Sequence, residues 1–180
     1  MSIKILTTAD IHLGRKSSAI NDNTKKSSTQ YIWEKITEYS LKNKIDILLL
    51  SGDIIDSKNC YYEAIGPLHA GLKKLNDNNI KVLAVSGNHD YDVLAQILNK
   101  NEFENIKLLG ADGNWEKQTI SVKNTNIDIF GWSYPKKYIT QNPMSSFNNS
   151  EINPNNMSIG LLHADLDMPE SKYAPVKESD

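Results

Sequence analysis

With 180 residues, 39% hydrophobic and 23% charged, the chain can bury one core but is short for two, and its balance excludes a disordered tract or a fibrous repeat. A net charge of −2 and a pI near 6.1 leave no global positive field of the kind that drives nonspecific nucleic-acid binding. Composition alone does not suggest DNA; such a substrate would require bound cations, a local lysine patch or further parts of the protein. The single cysteine, Cys60, excludes an internal disulfide framework and reads as an ordinary thiol, which points to a reducing, cytoplasmic compartment. No secretory signal follows Met1-Ser2-Ile3-Lys4. No apolar run approaches the roughly 18–20 residues that cross a bilayer, so no membrane association is expected.

Three segments repeat one pattern: a short apolar strand running into a polar loop. Ile3 to Thr8 leads to Asp10 and His12, Asp46 to Ser51 leads to Gly52 and Asp53, and Ile80 to Ser86 leads to Gly87-Asn88-His89-Asp90. Between them, Tyr31–Tyr39 and Ala64–Leu75 space apolar residues three and four apart, as amphipathic helices do. Strand-helix-strand-helix-strand order with right-handed crossovers predicts adjacent parallel strands whose loops share one carboxyl edge. A short helix is expected over Val93–Leu98. Ile106–Leu109, Gln118–Val122 and Ile127–Phe130 read as consecutive strands of a second, mostly antiparallel sheet. Gln141–Asn156, rich in Asn, Ser and Pro, reads as a surface loop or poorly ordered segment, and Met157–Leu162 as a last strand ending in His163.

Asp10 and His12 are two apart, which in an extended segment turns both side chains the same way, and carboxylate plus imidazole suit a borderline divalent cation. Asp53 follows Gly52, whose missing Cβ allows a tight turn or a close approach, and a carboxylate there can bridge two metals. Asp56 either hydrogen-bonds the loop or supports a ligand from behind. In Gly87-Asn88-His89-Asp90 the asparagine is an uncommon but reasonable oxygen ligand. His89 then sits beside the metals, able to donate a proton to a departing oxygen or stabilise charge at a phosphate, with Asp90 orienting its ring. His163 completes the pattern at a fourth strand end. His69, inside the second helix with no carboxylate at useful spacing, receives no role.

With these motifs in this order, the sequence resembles the calcineurin-like metallophosphoesterase superfamily over essentially its whole length. Asp10-Ile11-His12-Leu13-Gly14, Ser51-Gly52-Asp53-Ile54-Ile55-Asp56 and Leu161-Leu162-His163-Ala164-Asp165 look most like the bacterial DNA-repair exonucleases of the SbcD type and relatives such as YhaO. The resemblance implies a four-layer α-β-β-α sandwich and two divalent cations, usually manganese. It implies that Asp10 and His12 bind one cation, Asp53 bridges both, Asn88 and His163 bind the other, and His89 is the catalytic histidine. DNA is the implied substrate and an SbcC-type ATPase the implied partner.

One motif of such enzymes, a later Gly-His-x-His, is absent before the chain ends at Ser179-Asp180, while Tyr173-Ala174-Pro175-Val176 resembles the stretch preceding it. The expectation is therefore one catalytic domain over residues 1–180, truncated at its C-terminus, without the last strands of the second sheet. Each cation would lack one imidazole, leaving weak metal occupancy and low activity. Two other readings compete: a phosphodiesterase or phosphatase for small nucleotides or phosphoproteins, which the acidic pI favours, and a non-catalytic interaction scaffold, which an intact His89 disfavours.

Overall fold

The computed structural model describes residues 2–15, 28–56, 61–98 and 103–180; Cys60 lies outside them. Strands β1 (Ile5–Thr8), β2 (Ile47–Ser51) and β3 (Lys81–Val85) pair side by side and parallel, so their loops emerge at one edge. The apolar run in β2 reflects burial on both faces. Leu48 and Leu50 face the helices with Val82 and Ala84, whereas Ile47 and Leu49 face the second sheet with Leu83 and Val85.

Helices α1 (Thr29–Lys42) and α2 (Tyr61–Asp77) carry the chain back between these strands and cover the outer face of the sheet. The Ser28 hydroxyl caps α1 by accepting from Tyr31 N at 3.1 Å, satisfying one of the donors a helix start leaves open. Trp33 is the anchor between the helices: fully buried, its indole N–H donates to Pro67 O at 3.0 Å. Helix α3 (Leu94–Leu98) follows the third loop.

The second sheet departs from expectation in two ways. Strand β4 (Ile106–Leu108) pairs parallel with β3 and so extends the first sheet, because Ile106 and Leu108 pack into the core beneath the helices. The sheet of β5 (Glu116–Val122), β6 (Thr125–Trp132) and β7 (Met157–Leu162) is mixed: β5 and β6 form an antiparallel hairpin, whereas β7 runs parallel to β6. The long connection before Met157 permits that return, which a hairpin would not. Ile120, Ile127, Ile129 and Leu161 face the first sheet across a shared core; burying each such side chain stabilises by roughly 1.5–3 kcal/mol.

The Asn-rich segment before β7 is ordered into two 3-10 turns, Pro143–Ser146 and Asn149–Glu151, each capped by an asparagine side chain. It lies over the outer face of the second sheet. The Phe147 ring meets Trp115 and Phe130 edge-on at 5.0 and 5.3 Å, Trp115 Nε1 donates to Pro143 O at 3.0 Å, and Asn156 Nδ2 donates to the buried Asp128 at 3.1 Å. Among the described residues this segment stands where the fourth, helical layer was expected. Two further strands of two residues each, β8 (Asp165–Leu166) and β9 (Pro175–Val176), pair parallel beyond β7.

Candidate metal centre

Two of the three loops at the carboxyl edge of the first sheet are strained. Asp10, His12 and Asp53 all adopt left-handed backbone conformations, with φ of 55°, 49° and 53°. Side chains rarely occupy this region, and its use in three residues of one site marks a backbone held there by its surroundings. The extended geometry expected for Asp10-x-His12 is thus incorrect: β1 ends at Thr8, and the two side chains meet through a turn pinned by Asp10 N to Gly52 O at 3.1 Å and His12 N to Asp53 O at 2.9 Å.

Two glycines let the loops close on one another. A Cβ on Gly52, itself at φ +85°, would lie 2.6 Å from the His163 Cβ; a Cβ on Gly87 would overlap Asp53 Oδ1. The close approach read for Gly52 is thus made by His163, from the far sheet.

Asp53 is nearly fully buried and central. Its Oδ1 accepts from His89 N at 2.9 Å, and its Oδ2 lies 3.7 Å from His12 Nε2, 4.0 Å from His89 Nε2 and 3.5 Å from His163 Nε2. Asp10 Oδ1 is 3.6 Å from His12 Nε2, and Asp56 Oδ1 is 3.8 Å from His89 Nδ1. The donor atoms form two compact groups, His12 with Asp56 and His89, and Asp10 with Asp53 and His163. Most of these separations exceed a hydrogen bond. Lone-pair donors gathered at non-bonded distance, with His12 Nδ1 and His89 Nδ1 buried and without a hydrogen-bond partner among the described residues, fit divalent cations lying among them. Cations also answer the charge problem, since clustered carboxylates would otherwise repel a phosphate. Asn88, half-buried, sits in the loop between Gly87 and His89. His69 belongs to neither group and packs its ring against Phe103 at 5.1 Å.

Asp90 corrects an expectation. Both its oxygens are taken by backbone: Oδ1 accepts from Gly87 N at 2.7 Å, and Oδ2 from Ile54 N at 2.7 Å and Ile55 N at 3.3 Å. It fastens the second loop to the third, while the carboxylate beside the His89 ring is Asp56. Full burial pushes the Asp90 carboxyl up to about 7, the nearby charge of Asp53 adds to this, and the three N–H groups oppose it.

His163 is fixed by Nδ1 to Ser51 O at 3.1 Å, and its ring stands 6.1 Å from that of Tyr134. Tyr134 escaped the sequence reading because an aromatic after a β-strand looks like core. It is fully buried, yet its hydroxyl has no hydrogen-bond partner among the described residues. Burial raises its pKa, with the charges of Asp165, Asp53 and Tyr173 adding to the effect.

The family model for calcineurin-like phosphoesterases matches residues 3–173. The chain belongs to this family. The phosphoesterase is 33% identical over 89 residues to a subunit of the nuclease SbcCD from Staphylococcus epidermidis, a match covering 49% of this chain and 23% of that protein. It is 29% identical over 135 residues to the DNA double-strand break repair protein Mre11 of Saccharolobus solfataricus, covering 72% and 32%. It is 25% identical over 187 residues to the uncharacterized metallophosphoesterase YhaO of Bacillus subtilis, covering 99% and 45%. The phosphoesterase thus spans less than half the length of each of these relatives. The donor set fits two divalent cations. Among the described residues no helix is long and apolar enough to cross a membrane.

Proposed function

We propose that the protein is a manganese-dependent phosphodiesterase acting on DNA as a cytoplasmic nuclease, with an SbcC-type ATPase as partner. The observation that carries the metal chemistry is the buried Asp53 Oδ2 lying within 4.0 Å of three imidazole Nε2 atoms at the ends of separate strands. The DNA assignment is supported by the names of the relatives, one a component of a nuclease and one a break-repair protein.

In this reading Asp10 and His12 would hold one cation and Asn88 and His163 the other, with Asp53 serving both, whereas the donor atoms themselves cluster His12 with Asp56 and His89, and Asp10 with Asp53 and His163. Two divalent cations so held supply Lewis acidity and a water acidic enough to be deprotonated near neutral pH. The residues then have separate tasks. His89 gives a proton to the departing oxygen, and Asp56, 3.8 Å from its Nδ1, positions the ring. Asp90 keeps the Asp53 and His89 loops in register through its three backbone hydrogen bonds. The net charge of −2 favours a second reading, hydrolysis of small nucleotides or phosphoproteins, because no positive field gathers a polyanion.

Full-length protein, assayed with and without manganese on linear duplex DNA, a cyclic nucleotide and an aryl phosphomonoester, separates these readings. Manganese-dependent DNA hydrolysis is expected, and a preference for the monoester would refute the nuclease reading. His89→Asn should abolish turnover while leaving manganese affinity, read by calorimetry, unchanged; undiminished turnover would remove His89 from catalysis.

A further inference from the structure

Tyr134 presents a hydroxyl with no use in the folded chain. Its side chain is fully buried and its oxygen has no partner among the described residues. A phenylalanine would fill the same space without stranding a polar group, so an unpaired hydroxyl here lowers stability. The ring is also firmly held. Ser133 Oγ donates to Leu109 O at 2.6 Å and accepts from Ser86 N at 2.9 Å, and Ser86 Oγ donates to Tyr134 O at 3.3 Å. These bonds lock the end of β6 to the end of β3, beside the third site loop.

The surroundings indicate what the hydroxyl faces. The ring stands 6.1 Å from that of His163, edge to face, which puts the residue beside the Asp10, Asp53 and His163 donors. The carboxylates of Asp165 and Asp53 are engaged elsewhere: Asp165 accepts from the Ser171 hydroxyl, and Asp53 accepts from His89 N while its other oxygen faces the imidazoles. A phenol is protonated at neutral pH and donates most strongly to an anionic oxygen.

We infer that the Tyr134 hydroxyl is a donor reserved for a phosphoryl oxygen of the substrate bound on the His163 side of the centre. The inference rests on the two-metal reading and adds to it a residue that orients the phosphate without touching a cation.

Tyr134→Phe tests this with inorganic phosphate as the probe. Without metal or phosphate, the variant should melt at or above the wild-type temperature, because it buries no orphan hydroxyl. With saturating manganese, its phosphate affinity by calorimetry should fall about 10- to 100-fold, the worth of one hydrogen bond to a charged group, while manganese affinity stays unchanged. A lower melting temperature of the metal-free variant would overturn the inference, since the hydroxyl would then have a structural partner. Equal phosphate affinity in variant and wild type would overturn it and leave the two-metal reading standing. Failure of the wild type itself to bind manganese and phosphate would bring down both.

Discussion

Replacing Asp90 with asparagine removes one charge and nothing of the side chain's size. Its oxygens accept from Gly87 N at 2.7 Å on one side and from Ile54 N and Ile55 N at 2.7 and 3.3 Å on the other. An asparagine can accept on one side only; whichever way it turns, its amide N–H₂ confronts a backbone N–H. At least one buried donor is left without an acceptor, at about 1–3 kcal/mol, and the surviving bonds lose their charge assistance. Relief from burying a charge offsets part of this, because burial holds the carboxyl up to about 7. The expected net loss is about 1–3 kcal/mol, or roughly 2–12 °C in melting temperature for a domain of this size. Urea melts with chelator present read it as a lower midpoint at an unchanged slope. Because the same carboxylate fastens the Asp53 loop to the Gly87 loop, divalent affinity should fall with stability. If Asp90→Asn and Asp90→Ala both unfold within about 0.5 kcal/mol of wild type, a margin typical of neutral surface changes, the three hydrogen bonds do not hold the loops and the reasoning is wrong.

Three other outcomes follow from the structure. Gly87→Ala places a Cβ on Asp53 Oδ1, so manganese affinity by calorimetry should drop at least tenfold, about 1.4 kcal/mol, and wild-type affinity would contradict the close approach. Asp46, bonded by Lys4 N at 2.8 Å and Lys123 Nζ at 2.7 Å, has its pKa lowered although burial opposes the shift. A carboxylate depressed in the fold stabilises above its ordinary pKa and stops doing so as pH falls through the folded value. Asp46→Asn should therefore be destabilised by about 0.5–1 kcal/mol at pH 7, a gap that chemical melts should show closing toward pH 3. Phe147→Ala removes the ring that meets Trp115 and Phe130, with an expected cost of about 1–2 kcal/mol for a half-buried aromatic. Proteolysis within residues 141–156 should accelerate.

The part of the fold legible in the sequence is the part written in strong patterns. Strands β2 and β3 are buried on both faces and read as continuous apolar runs, and the glycines and acids at their ends stand out against them. Strand β4 reads into the wrong sheet because the alternation of Ile106-Lys107-Leu108 reports an exposed middle residue and nothing about the neighbour. Strands β8 and β9 are too short to carry a period at all. In the centre, residue types are readable but backbone is not: nothing in Asp10-Ile11-His12 announces two left-handed residues, since the strain is imposed by hydrogen bonds to a loop some forty positions away. Asp90 is matched to the wrong neighbour for a related reason, as its partners are backbone amides, which carry no letter in the sequence. Tyr134 escapes notice because burial hides a hydroxyl that has no partner among the described residues.

His163 arrives on the second sheet, whereas Asp10, Asp53 and His89 arrive on the first. The centre therefore gauges how the two sheets are seated. A slip of one sheet on the other by a fraction of a side chain would leave each sheet intact and pull His163 from Asp53. Substitutions in the apolar interface of Ile47, Leu49, Ile127 and Ile129 should thus be felt as changes in cation affinity, and a bound cation should act as a crosslink between sheets that share no strand.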